Sequence, residues 1–124
     1  MKIVYIAHPI GGNVTENLCK IRDIIREINI HNPGVVPFVP YFADAMSMDD
    51  SIPAERSRAI KNNMELLNRK GVVDEIWLYG HTITKGMRQE VETAIMNKIP
   101  VVASSPELYN EFTAIKSNYE RTNQ

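Results

Sequence analysis

Cysteine is nearly absent. Cys19 is the only one in 124 residues, so no disulfide can form within the chain, and a reducing, cytoplasmic setting is expected. Neither sign of charge dominates: Lys and Arg total 14, Asp and Glu 15, for a net −1. That balance removes the electrostatic basis for gripping duplex DNA, RNA or an anionic membrane. It leaves room for a local positive site holding one small nucleotide. No apolar run approaches the roughly 20 residues that span a bilayer. No charged-then-apolar leader precedes the first strand-like run. No Cys/His spacing suits zinc, and neither a metal nor another cofactor is expected. Internal repeats, low-complexity stretches and linkers are missing as well.

What is present is an ordinary globular composition, 44% hydrophobic and 23% charged. Its length predicts a single domain over 1–124. Lys2 to Ala7 (KIVYIA) is a β-branched and aromatic run, read as a buried strand. It exits through His8-Pro9 and Gly11-Gly12, a turn-rich segment. Asn13 with Glu16 resembles a capping box, and Leu18, Ile21, Ile25 and Ile28 follow at helical spacing. Val35 to Val39 predicts a second strand, while Tyr41 to Asp50 mixes helix and loop signals. A helix is expected from Ser51–Pro53 to near Gly71, with Ile60, Met64 and Leu67 on its apolar stripe. Val72 to Tyr79 and Pro100 to Ala103 predict two more strands. Between them Met87, Val91, Ala94 and Ile95 mark a helix. Pro106 to Ile115 predicts the last helix, with Ser117 to Gln124 a polar, frayed end.

Strands alternating with helices predict an α/β fold: a doubly wound parallel sheet of four to five strands, Rossmann-like or flavodoxin-like, with helices on both faces. Ligands in such sheets sit beyond the carboxyl ends of the strands. There the chain places His8 to Gly12, Tyr41 onward, and Gly80 to Gly86.

Glu90 follows Met87 by three and precedes Ala94 by four, on the flank of a buried stripe near that edge. A carboxylate in such a place acts as nucleophile or base, or is a boundary residue held by Arg88 or Lys98. Asn63 repeats the geometry between Ile60 and Leu67, either converging on the same pocket or serving as a satisfied boundary amide. Tyr5 lies inside the first strand, where its hydroxyl needs a partner: Glu90, or the backbone. Gly11 and Gly12 precede a helix start and can offer backbone N–H groups to a phosphate. Thr84, Lys85 and Gly86 form a second such turn, or an N-cap threonine beside a solvated lysine. His8, His31 and His81 do not make a metal set by spacing; His31 reads as a surface residue, His8 and His81 as strand exits.

These pieces resemble the nucleoside 2-deoxyribosyltransferase-like superfamily, which includes deoxyribosyltransferases and deoxynucleoside 5′-monophosphate N-glycosidases. The resemblance covers about Lys2 to Ala103. It rests on Tyr5-Ile6-Ala7-His8-Pro9, on Gly86-Met87-Arg88-Gln89-Glu90 with Ala94, and on Asn97-Lys98-Ile99-Pro100-Val101-Val102. It implies Glu90 as the nucleophile that forms a glycosyl ester, oriented by Tyr5. Asn63 stands where the family often has an aspartate linked to the leaving base. Thr84 and Lys85 stand where the transferases carry an acid for the sugar 5′-hydroxyl, and a hydroxyl there resembles the nucleotide N-glycosidases instead.

The expected function is therefore cleavage of the base–deoxyribose bond of a deoxynucleoside 5′-monophosphate. The catalytic set is Glu90, Tyr5 and Asn63, and the phosphate set His8, Gly11, Gly12, Thr84, Lys85 and Gly86. The alternatives are base exchange by a deoxyribosyltransferase and nucleotide binding without cleavage. The partner is a small nucleotide or nucleoside, not a nucleic acid polymer or a membrane. The resemblance also implies a homo-oligomer, a dimer or larger.

Overall fold

β1 (Lys2–Ala7) is buried from both sides: Val4, Tyr5, Ile6 and Ala7 have no exposed surface. A strand with two apolar faces belongs inside a sheet covered on both sides, and β1 lies in the middle. A computed structural model of the chain, describing residues 1–123, gives a four-stranded sheet in the order β2-β1-β3-β4. Its other strands are β2 (Val35–Phe38), β3 (Glu75–Leu78) and β4 (Val101–Ala103). All neighbours pair in parallel, with Tyr5 opposite both Phe38 and Ile76, and Ala7 opposite Leu78.

The helices are α1 (Val14–His31), α2 (Pro40–Ser47), α3 (Pro53–Asn68), α4 (Lys85–Met96) and α5 (Pro106–Thr122). Alternate residues of β1 enter different cores, as the two-residue period of a strand requires. Tyr5 and Ala7, with Ile76 and Leu78, pack against Leu67 of α3, Met87, Val91 and Ala94 of α4, and Leu108 of α5. Val4 and Ile6 pack against Ile28 of α1. Helices thus cover both faces of the flavodoxin-like sheet.

Local chemistry explains the helix starts. The Asn13 side chain accepts from the Glu16 N–H at 3.1 Å and donates to the Glu16 carboxylate at 3.1 Å. This is a capping box closed through the side-chain amide. Thr84 and Ser105 cap α4 and α5 more simply, each hydroxyl accepting from one backbone N–H, of Met87 and Leu108. Proline opens α2, α3 and α5, where its missing N–H has no consequence.

Four local expectations change. β3 begins at Glu75 because Val72 is still in the turn leaving α3, its N–H on the Arg69 carbonyl at 3.3 Å. Ser51 does not cap α3; its N–H and hydroxyl both donate to Asp49. Ile60 is 42% exposed, so the α3 stripe is narrower than expected. α5 continues past Ile115 to Thr122, since Lys116 to Thr122 holds no glycine or proline to stop it. Gln124, the end of the expected frayed segment, lies outside the described residues.

Candidate active site

Tyr5 and Glu90 meet across the sheet–helix interface. β1 carries Tyr5 toward α4, and Met87, Val91 and Ala94 seat α4 on the sheet, turning Glu90 inward. The Tyr5 hydroxyl donates to Glu90 Oε2. Glu90 is 9% exposed and Tyr5 fully buried. Burial pushes the Glu90 carboxyl up to about 7, and the Tyr5 hydrogen bond opposes that rise. Burial first, then the Glu90 charge, pushes the Tyr5 hydroxyl well above its ordinary range. Tyr5 therefore stays protonated and donates. Arg88, a candidate holder of Glu90, instead pairs with Glu92 at 2.9 Å.

Tyr41 is a buried neighbour that the sequence did not single out. Its ring centre lies 5.8 Å from that of Tyr5 in a tilted arrangement. Its hydroxyl donates to the Ile6 carbonyl. Asp44, one helical turn further along α2, accepts from Asn62 Nδ2 at 3.4 Å. Asn63 sits beside Asn62 on α3, partly buried, and its side-chain oxygen is buried without a partner among the described residues. The expectation of a satisfied boundary amide does not hold for that oxygen.

The exits of β1 and β3 enclose a cleft of about 520 Å³ whose polar lining is His8, Asn17, Lys20, His81, Thr82 and Thr84. Of the expected phosphate residues, His8 and Thr84 line it. Gly11, Gly12, Lys85 and Gly86 do not, although all four are exposed nearby in sequence. Asn17 ties down the turn by donating to the Ile10 and Gly11 carbonyls at 3.0 and 3.2 Å. Burial holds the His8 ring below the usual histidine range; the Pro9 carbonyl opposes this, while Lys20 and His81 lower it further. Thr84 spends one lone pair on the Met87 N–H, and its own proton is left to donate. Thr82 already donates to Glu111 of α5 at 2.5 Å, which removes it as a phosphate donor. Glu90, Tyr5 and Asn63 do not line this cleft; between Thr84, which does, and Glu90 α4 rises roughly 9 Å.

Lys20 and Asn17 were missed, yet a signal exists. Asn13, Asn17 and Lys20 fall at i, i+4 and i+7, the polar stripe of α1 that faces the strand exits. A second concavity of about 650 Å³, lined in part by Lys2, His31 and Trp77, lies at the amino ends of the strands, away from Glu90. Among the described residues no group of His, Cys, Asp and Glu has the arrangement to hold a metal. No described helix is long and apolar enough to cross a membrane.

Fold and site together define a flavodoxin-like α/β domain with a buried tyrosine–glutamate pair between its central strand and α4. The chain belongs to the family described as Domain of unknown function (DUF7768), which matches residues 2–104. No curated protein matches it. Among solved structures, it resembles a 2-deoxyribosyltransferase from the psychrotolerant bacterium Bacillus psychrosaccharolyticus. The identity is 16% and the TM-score 0.55, covering 82% of this chain and 70% of that one. It also resembles a conserved protein from Enterococcus faecalis V583, at 18% identity and a TM-score of 0.57, over 93% of this chain and 74% of that one.

Proposed function

We propose that this protein is an N-glycosidase that cleaves the base–deoxyribose bond of a deoxynucleoside 5′-monophosphate. The observation that carries the reading is the buried Tyr5–Glu90 pair, about a turn and a half of α4 from a cleft lined by Lys20, two histidines and Thr84. In the first step a Glu90 oxygen bonds to the anomeric carbon as the carbon–nitrogen bond breaks. The bond pair stays with the base, which takes up a proton. In the second step water attacks the same carbon, releases Glu90 as carboxylate and gives up the proton that balances the first. Tyr5 holds the carboxylate in one orientation, and Asn63 contacts the leaving base through its amide. The transition state is oxocarbenium-like, which an adjacent carboxylate stabilises.

Phosphate recognition falls to His8, Lys20, His81 and Thr84 in the cleft, with Lys85, Gly86 and the N-terminus of α4 at its margin. Gly11 and Gly12 add backbone donors from the α1 side. The fold shared with a 2-deoxyribosyltransferase supports a nucleoside ligand. The proposed species is a homo-oligomer.

The test compares each deoxynucleoside with its 5′-monophosphate, measuring free base released, with and without a second free base. Glu90→Gln should lower turnover by several orders of magnitude. The monophosphate should be preferred by at least about tenfold, the worth of one charge-assisted hydrogen bond. Equal efficiency on both substrates would refute phosphate recognition. Base exchange outrunning hydrolysis would replace the glycosidase by a transferase. Binding without release of base would replace both by a nucleotide-binding protein.

A further inference from the structure

Two buried acceptors lie on the facing helices α2 and α3 without partners among the described residues: Asp44 Oδ2 and Asn63 Oδ1. Such atoms are rare in folded proteins, because a buried acceptor loses water and gains nothing. Asn62 links the two helices through its 3.4 Å contact to the other Asp44 oxygen. Asp44 is not remote from the chemistry. It follows Tyr41 by three residues and so shares its side of α2, and the Tyr41 ring packs against Tyr5. Its charge also acts on the Tyr5 hydroxyl. An unpaired carboxylate oxygen on the helix that carries Tyr41 and an unpaired amide oxygen on the facing helix call for a ligand rich in N–H groups.

We propose that Asp44 and Asn63 form a specificity subsite for the exocyclic amine of the base, so that amine-bearing nucleotides are selected over their amine-less counterparts. This rests on the nucleotide reading above. One amine offers two N–H donors to the two acceptors. A carbonyl in that place adds a third acceptor and leaves all of them unpaired. Rejection of the wrong group by unpaired buried polar atoms is the strong form of substrate discrimination.

The experiment uses the full chain carrying Glu90→Gln, which holds ligands intact, and measures binding by calorimetry. Three pairs are compared: dAMP with the 5′-monophosphate of purine deoxyriboside, dGMP with dIMP, and dCMP with dUMP. The first two pairs differ in the amine alone. In at least one of those two, the amine-bearing member should bind about tenfold more tightly or better. Adding Asp44→Ala should bring that pair together. The readout is a ratio within one protein, so a change in folded fraction cancels. If Asp44→Ala does not fold, the comparison in the Glu90→Gln protein still decides. Equal binding within both pairs, or a preference that survives Asp44→Ala, overturns the subsite and leaves the nucleotide reading standing. Binding by none of the six nucleotides defeats the nucleotide reading itself.

Discussion

Ionising Glu90 inside the fold is unfavourable, because its carboxylate leaves water and receives the Tyr5 hydroxyl in return. The folded chain keeps a proton there that the unfolded chain releases near the ordinary value of 4.5. Stability should therefore fall as pH rises from 4.5 to about 7, and the loss is complete above that range. Its size is on the order of 3 to 4 kcal/mol. Glu90→Gln removes the titration, so its melting temperature relative to the parent should climb between pH 5 and 8. A constant difference across that range would show that Glu90 does not titrate there. Activity runs the opposite way, since attack needs the carboxylate. The acid limb of kcat/KM should fall near 7. Tyr5→Phe deletes the bond that opposes the burial effect, and that limb should move to higher pH. An unmoved limb would deny Tyr5 its positioning role. The buried position of Glu90 was legible in the sequence because a helical period fixes which residue flanks a buried stripe, whereas its role as nucleophile is a proposal that the family resemblance suggests. Asp44 was not, because its helix is short and its neighbours Tyr41, Phe42 and Ala45 leave no clear period.

The elements that build the site are the two strand exits and the helix after the second. Gly80 has φ +99°, and a Cβ placed on it would lie 2.6 Å from Pro9 Cδ. Both facts forbid a side chain there, since the left-handed region is strained for other residues. Gly80→Ala should lower stability by about 1–3 kcal/mol. It should also raise KM for the monophosphate more than for the nucleoside, because His8 and His81 flank the contact. A melting temperature equal to the parent's would show that the exits are free to separate. The sequence predicted the elements in order, α2 only within a mixed stretch, since the other strands and helices differ in apolar period. It misplaced boundaries where the period runs out: Val72 and Val73 continue an apolar run yet precede the strand, and the last turns of α5, Lys116 to Thr122, are polar apart from Tyr119. The closeness of Pro9 and Gly80 was beyond it, because strand order is a tertiary property.

At the scale of the whole molecule, a nearly neutral chain sets the positive charge of Lys20 in the cleft at one end of the sheet. Binding of the monophosphate should weaken with ionic strength, and this can be read from the salt dependence of KM. Assembly is open to a direct measurement: sedimentation equilibrium should give at least twice the 14.1 kDa chain mass. A monomer at working concentration would remove the homo-oligomer from the proposal.

β1 is hydrogen-bonded on both edges and covered on both faces. Its amide protons have no local opening through which to meet solvent, so they exchange with deuterium only when the entire domain opens. Tyr5 is on that strand. The chemistry should consequently persist unaltered up to the melting transition and vanish with it, leaving no softened, half-active form. Loss of activity on heating and exchange of the Val4 and Ile6 amides should report one and the same event. Activity that fades well before those amides exchange would place the weak point elsewhere, in the short helix that carries Tyr41.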